Sequence, residues 1–354
     1  MKLLFALSGF HQHERGAEVA LMSVAEAMAA TGDEVTLMGS GAPRAGTSYR
    51  FEHVGALPRE MFEKWPQFPP LRSETAWEDA SFAANLLRKY NPAKFDAVVT
   101  CAFPFTHWAL RKPSSRKPLQ IFVTQNGDWP AFSNKSEYRT FACDGLICTN
   151  PDYLERNQAN WNCALIPNGV DLARFKPGAD ERHRFGFPDG KKVILMVSAF
   201  IESKRVLDGI RAVAKMPNTF LVVAGDGPLR DEAQALADSL MPDRFSRVSL
   251  TAKEMPALYR SVDVFLHLSL LESFGNVFLE AWASGLPIVA HDTERLRWIL
   301  GDYGQLCDTQ DAEQLVKSLE TATDSSPGGL TGGIQRFAWA NIAQEYRNFI
   351  GSIR

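Results

Sequence analysis

The sequence predicts an α/β protein built from two doubly wound domains, and three observations predict it. Short apolar runs alternate with amphipathic segments from end to end, the alternation starts afresh near residue 193, and 354 residues suffice for two mid-sized cores. Runs of Val, Ile, Leu and Phe without polar alternation are expected of strands covered on both faces. Helices on each side of a parallel sheet leave neither face to water.

The first series of runs is Lys2–Leu7, Glu34–Met38, Ala97–Cys101, Leu119–Thr124, Gly145–Thr149 and Ala164–Pro167. Helical patterns separate them. In the first, Ala17, Leu21, Val24 and Met28 share one face. A break follows at Ile166–Pro177, punctuated by Pro167, Asn168 and Gly169, and residues 178–192 are polar. The second series is Val193–Ser198, Thr219–Ala224, Arg247–Leu250, Asp263–Leu268 and Pro287–Ala290. A weaker break at Asp324–Gly333 precedes a last helix that aligns Trp339, Ile342, Tyr346 and Phe349. The expected domains are residues 1–167, completed by the last helix at 336–354, and residues 168–335. A cleft between two such domains would suit a two-part ligand.

Composition narrows the function. A formal net charge of -3 argues against nucleic acid, whose binders carry a basic excess. Five scattered cysteines without CxxC spacing read as reduced thiols of a cytoplasmic protein. No Asp-x-Asp pair is present to hold a divalent ion beside a diphosphate, so no metal is expected. The opening run is too short for a secretory signal core, and no run approaches the ~20 apolar residues of a membrane span. Arg111, Lys112, Arg116 and Lys117 form a small basic cluster, read as a solvated loop with peripheral membrane contact as the alternative.

The most informative stretch is Glu272-Ser-Phe274-Gly275-Asn276-Val277-Phe-Leu-Glu280-Ala281, between an apolar run and the helix-ending Gly285-Leu286-Pro287. It reads as a strand end, a turn and a helix start. Gly275 lets backbone approach a ligand, and the amides near Asn276 and Val277 suit a diphosphate. Glu280, a turn further on, is placed to accept ribose hydroxyls in charge-assisted bonds of about 1.5–3 kcal/mol each. Glu272 precedes the turn, within reach of a sugar carried on such a diphosphate. The stretch Ser198–Arg205 follows a strand and opens a helix with Val206, Ile210 and Val213 aligned. Lys204 and Arg205 there oppose the helix dipole, an arrangement that makes sense if they neutralise a diphosphate.

Other candidates are weaker. Gly16-Ala17-Glu18 starts the first helix after a strand. Gly225 and Gly227 flank Asp226 in a tight turn. Gln125, Asp128 and Trp129 offer an amide, a carboxylate and an aromatic plate suited to a carbohydrate. His11 and His107 follow strand ends. The Trp residues 65, 77 and 108 read as packing, although residues 56–80 are Pro- and aromatic-rich enough to help select an acceptor. Ser249–Lys253 and the Gly225–Pro228 turn are candidates for a base pocket.

These motifs resemble the retaining glycosyltransferases of family 4. The matching pieces are Gly16–Glu18, Thr31-Gly32-Asp33-Glu34-Val35, Ile166-Pro167-Asn168-Gly169-Val170-Asp171, Lys204-Arg205, Gly225–Leu229 and Glu272-x7-Glu280 in its Phe-Gly-x-Val-x-x-Glu-Ala context. The resemblance implies the GT-B architecture, two Rossmann-like domains facing across a cleft. It implies a UDP- or GDP-linked sugar donor, a hydroxyl acceptor, retention without metal or cofactor, and a place in bacterial glycan or glycoconjugate synthesis. It places Lys204 on the diphosphate, Glu280 on the ribose, the Gly275–Val277 backbone at phosphate and Glu272 at the donor sugar. Three departures stand out: Ala17 replaces a second glycine, Ser198 and Ala199 replace a customary Arg, and Gln125 stands where the family often has His. Rival readings are a GT-B epimerase or phosphorylase, and a non-catalytic sugar-nucleotide binder.

Overall fold

The computed structural model describes residues 1–325 and 332–353, so most of the break expected at Asp324–Gly333 lies outside the described residues. The chain divides into two compact units, Met1–Gly169 with Trp339–Arg354, and Val170–Ala338.

The first unit carries a seven-stranded parallel sheet. Its strands are β1 (Lys2–Ala6), β2 (Glu34–Gly39), β3 (Arg50–His53), β4 (Ala97–Thr100), β5 (Leu119–Val123), β6 (Gly145–Cys148) and β7 (Cys163–Leu165), in the order β3-β2-β1-β4-β5-β6-β7. Alternation along β1 fills both faces: Leu3 and Phe5 enter one core cluster, Leu4 and Ala6 another. The first cluster includes Leu21, Val24, Ala25 and Met28 of the Gly16–Ala30 helix, and Ile342, Ala343, Tyr346 and Ile350 of the Trp339–Ser352 helix. These two helices pack together, so the last helix completes the first unit's core. Arg347 adds a polar tie, donating to Asp33 Oδ2 at 2.7 Å and to Thr31 Oγ1 at 2.7 Å.

The second unit carries a six-stranded parallel sheet: β8 (Lys192–Val197), β9 (Thr219–Ala224), β10 (Phe245–Val248), β11 (Val264–His267), β12 (Ile288–His291) and β13 (Gly304–Cys307), in the order β10-β9-β8-β11-β12-β13. Its central strands are again buried on both sides. Val193 and Leu195 of β8 face one cluster, Ile194 and Met196 the other. The strand order reverses between β8 and β11. In open α/β sheets that reversal opens a crevice at the carboxyl ends, where ligands bind.

Two strands were not expected from sequence, β3 and β13, and β10 begins two residues before the expected Arg247–Leu250. All three are edge strands. An edge strand has one hydrogen-bonding neighbour and tolerates polar residues, so Arg50-Phe51-Glu52-His53 and Gly304-Gln305-Leu306-Cys307 show no apolar run.

Candidate functional site

The second unit's site is built from the turns that leave β8, β9 and β11. The Ser198 amide donates to Ala224 O at 3.0 Å, the Phe200 amide to Asp226 O at 3.0 Å and the Leu229 amide to Phe200 O at 2.9 Å, zipping the turn after β8 to the turn after β9. A Cβ on Gly225 would sit 2.1 Å from Ser198 O, and one on Gly227 would sit 2.7 Å from Phe200 O. The Gly225–Gly227 turn is therefore glycine because one backbone lies directly on another.

Held by that platform, Lys204 closes the short 3-10 turn Glu202–Lys204, and its Nζ bonds Glu272 Oε1. His267, at the end of β11, brings Nε2 to 3.0 Å from the same oxygen. Burial favours the neutral acid at Glu272, but the bonds from His267 and Lys204 outweigh it and hold the carboxyl down at about 2.

Arg205 departs from the expected pairing with Lys204. Its backbone is left-handed at φ 52. Its guanidinium donates to Asp208 Oδ2 at 2.9 Å, Leu268 O at 3.3 Å, Thr309 Oγ1 at 3.0 Å and Thr309 O at 2.9 Å. This charge is committed to protein groups and stitches the segments that follow β8, β11 and β13 together. The expected second diphosphate cation thus has protein acceptors of its own.

Gly275 precedes the Asn276–Ala283 helix at φ 84, and a Cβ there would meet the Phe278 ring at 2.7 Å. Phe274 is a core residue at 3% exposure, ringed by Trp298 and Phe337, so only its backbone can face a ligand. Asn276 and Val277 are half-buried at the helix start. Glu280, one turn on, accepts from the Tyr259 hydroxyl at 2.9 Å. Burial pushes the Glu280 carboxyl up to about 7, against the opposing pull of Tyr259 and the nearby positive charge of Arg174. Arg174 also donates to Ala252 O at 2.8 Å, within the stretch expected to form a base pocket. Sequence reasoning missed His267, Tyr259 and Arg174. His267 closes an apolar strand and so reads as strand, while Tyr259 lies 21 residues from its partner.

The first unit sorts its candidates differently. Gly16 is exposed at the start of its helix, and Ala17 packs against the core. Glu18 is buried over Gly9, where a Cβ would meet its Oε1 at 2.1 Å. Gln125 and Asn168 form a reciprocal amide pair, Nε2 to Oδ1 at 2.5 Å and Nδ2 to Oε1 at 3.1 Å.

The remaining first-unit candidates are each engaged by protein partners. Asp128 binds Arg156 through both oxygens at 2.9 and 3.0 Å and accepts from Asn157 at 2.9 Å. Trp129 packs against Tyr138 and Phe103. His107 is 2% exposed among Phe103, Phe122 and Phe141, and burial drives its pKa down to about 3. His11 has Nδ1 at 2.9 Å from Ala42 O, Nε2 at 2.8 Å from Tyr49 Oη, and its ring stacked on Phe51. Both histidines are buried.

Within the basic cluster, Arg111 donates to Thr140 O, Lys112 to Leu87 O, and Arg116 pairs with Asp96. Among the described residues no group of three or more His, Cys, Asp or Glu side chains is placed to hold a metal ion. Nor is any described helix long and apolar enough to cross a membrane.

Two family models match the chain: Glycosyltransferase Family 4 over residues 15–174 and Glycosyl transferases group 1 over residues 179–330. The lipopolysaccharide core biosynthesis glycosyltransferase LpsE of Rhizobium meliloti is 30% identical over 56% of this chain and 58% of its own length. The GDP-mannose-dependent alpha-mannosyltransferase of Corynebacterium glutamicum is 25% identical over 82% of this chain and 72% of its own. The match to the first thus spans little more than half of that relative. Among solved structures, Anabaena HepE in complex with UDP and glucose superposes with a TM-score of 0.74 at 18% identity, covering 99% of this chain and 100% of that one. The shared fold is GT-B, with a Rossmann-like parallel sheet in each unit.

Proposed function

The chain belongs to the family 4 glycosyltransferases, and on that premise we propose that it moves a sugar from a UDP- or GDP-linked donor to a hydroxyl acceptor, with retention at the anomeric carbon. The observation that carries the reading is a convergence at the β8–β11 switch point. Lys204, Glu272 and Glu280 gather there with the positive end of the Asn276–Ala283 helix. The mix suits a nucleoside diphosphate sugar: a cation and a helix dipole for phosphate, one carboxylate for the sugar and one for the ribose.

In this reading the C1–oxygen bond to the diphosphate breaks and its electron pair stays with the leaving phosphate. The acceptor oxygen bonds to C1 on the same face, and its proton passes to the departing phosphate oxygen. Lys204 stabilises the charge that builds on that group. Gln125 cannot take a proton at neutral pH, and this route asks none of it. The positive field comes from Lys204 and the helix, so transfer proceeds without a divalent ion or cofactor. The LpsE and mannosyltransferase likenesses support a setting in bacterial glycan or glycoconjugate synthesis.

The test is thermal denaturation with UDP, GDP, ADP and TDP and their common hexose conjugates, on the wild type and on Glu280→Ala. Stabilisation by one nucleotide series, lost in Glu280→Ala, supports the ribose assignment and identifies the base. No stabilisation by any of them overturns the sugar-nucleotide site.

A further inference from the structure

Lys204 and His267 bond the same carboxylate oxygen, Glu272 Oε1, but they differ in what else they can do. The Lys204 side chain is 23% exposed on a long flexible stem, whereas the His267 side chain is 3% exposed at the end of β11. The His267 ring lies edge-on to Phe278, 4.8 Å between centroids, and nearly parallel to Phe265 at 6.2 Å. Its Nδ1 is buried without a hydrogen-bond partner. Nε2 is therefore the ring nitrogen that has a partner, and it is placed to donate to Glu272.

We propose that His267 is a positioning residue that keeps Glu272 aimed at the donor sugar when Lys204 leaves the carboxylate for the donor diphosphate. The inference rests on the sugar-nucleotide reading above. A diphosphate carries more negative charge than one carboxylate and draws the flexible ammonium away. Glu272, only 21% exposed, would then lose its cation, and a half-buried carboxylate without a donor is costly. His267 keeps one strong bond on Oε1, while Oε2, which takes neither bond, is left to accept a sugar hydroxyl. Glu272 is in direct contact with this imidazole, and Lys204 reaches the same carboxylate oxygen. The Asn276–Ala283 helix turns Phe278 toward it, and Glu280 on that helix bonds Tyr259 instead.

The test compares His267→Gln, His267→Asn and His267→Phe. The Gln amide nitrogen reaches the position of Nε2; the Asn amide nitrogen falls short of it, and Phe has no donor. Binding of UDP and GDP is measured by calorimetry, and turnover as nucleoside diphosphate released from UDP- and GDP-hexoses by transfer of the sugar to water as the acceptor. Asn and Phe are expected to slow release by about tenfold to a hundredfold, the effect of a misplaced sugar contact. Nucleotide affinity is expected to stay within about threefold, and Gln to restore release to within about threefold of wild type. The inference is overturned if all three variants behave alike, active or impaired, or if UDP and GDP binding is lost in step with rate. A wild type that binds neither nucleotide, or binds and releases nothing, overturns the sugar-transfer reading and this inference with it. That outcome is seen before any substitution is made.

Discussion

Two adjacent cations, Lys204 and Arg205, face different tasks. Lys204 meets a carboxylate that a diphosphate can replace, whereas Arg205 meets backbone carbonyls and Thr309. Lys204→Ala is expected to cut turnover by about 10²–10³, the usual loss for a positioned charge-stabilising group, with little change in melting temperature. Arg205→Ala is expected to lower the melting temperature first, because several carbonyl and hydroxyl partners lose their donor. Steady-state kinetics and calorimetry on the pair separate the two roles. Glu280 gives a pH signature. Its carboxyl rises from an ordinary 4.5 to about 7 in the folded protein. The native state therefore holds a proton that the unfolded chain releases above about pH 4.5. The stability this contributes is complete below that pH and is lost as pH rises through about 7. Ribose hydroxyls donate to the ionised form, so nucleotide affinity should run the other way, weakening as pH falls from 8 to 6. Titration calorimetry across that range, with Glu280→Gln as the flat control, checks both signs.

Elements explain why some of this was legible and some was not. Central strands announce themselves: Thr219-Phe-Leu-Val-Val-Ala is buried at every position, and β9 spans those same six residues. The unexpected or shifted strands β3, β10 and β13 sit at sheet edges, where burial no longer selects apolar residues. The site follows a parallel division. Gly275 and the two glutamates around it were legible because positive φ and a helix start leave a fixed spacing in the chain. The His267–Glu272 and Tyr259–Glu280 bonds were not, since a strand end and a neighbouring helix supply the partners and nothing local marks them. At this scale the Gly275 turn is the sharpest probe. Gly275→Ala combines φ 84 with a 2.7 Å approach to the Phe278 ring, a strain of about 1–3 kcal/mol. Chemical denaturation should register that loss, and nucleotide binding should fall with it because the helix start moves.

The whole molecule adds two predictions. Transfer is expected to persist in excess EDTA, because the proposed reading draws the positive field at the diphosphate from Lys204 and the helix. Activity that collapses in EDTA and returns with magnesium or manganese would overturn that part of the reading. The second concerns the Trp339–Ser352 helix, whose Ile342, Ala343, Tyr346 and Ile350 sit in the first unit's core. Removing residues 339–354 should expose Leu21, Val24 and Met28 and leave residues 1–169 insoluble when expressed alone. Supplying residues 339–354 on a flexible linker should restore solubility and cooperative melting.

The same helix sets a timetable for a ribosome making this chain. The first unit's strands emerge before the second unit and its closing helix only after it, while the second unit, continuous from Val170 to Ala338, can close as soon as it is out. At elongation speeds of about 5–20 residues per second the roughly 170 intervening residues take on the order of ten to thirty seconds. For that interval Leu21, Val24 and Met28 lack the partners that the last helix supplies, so nascent chains should depend on holdase chaperones more than their final stability would indicate.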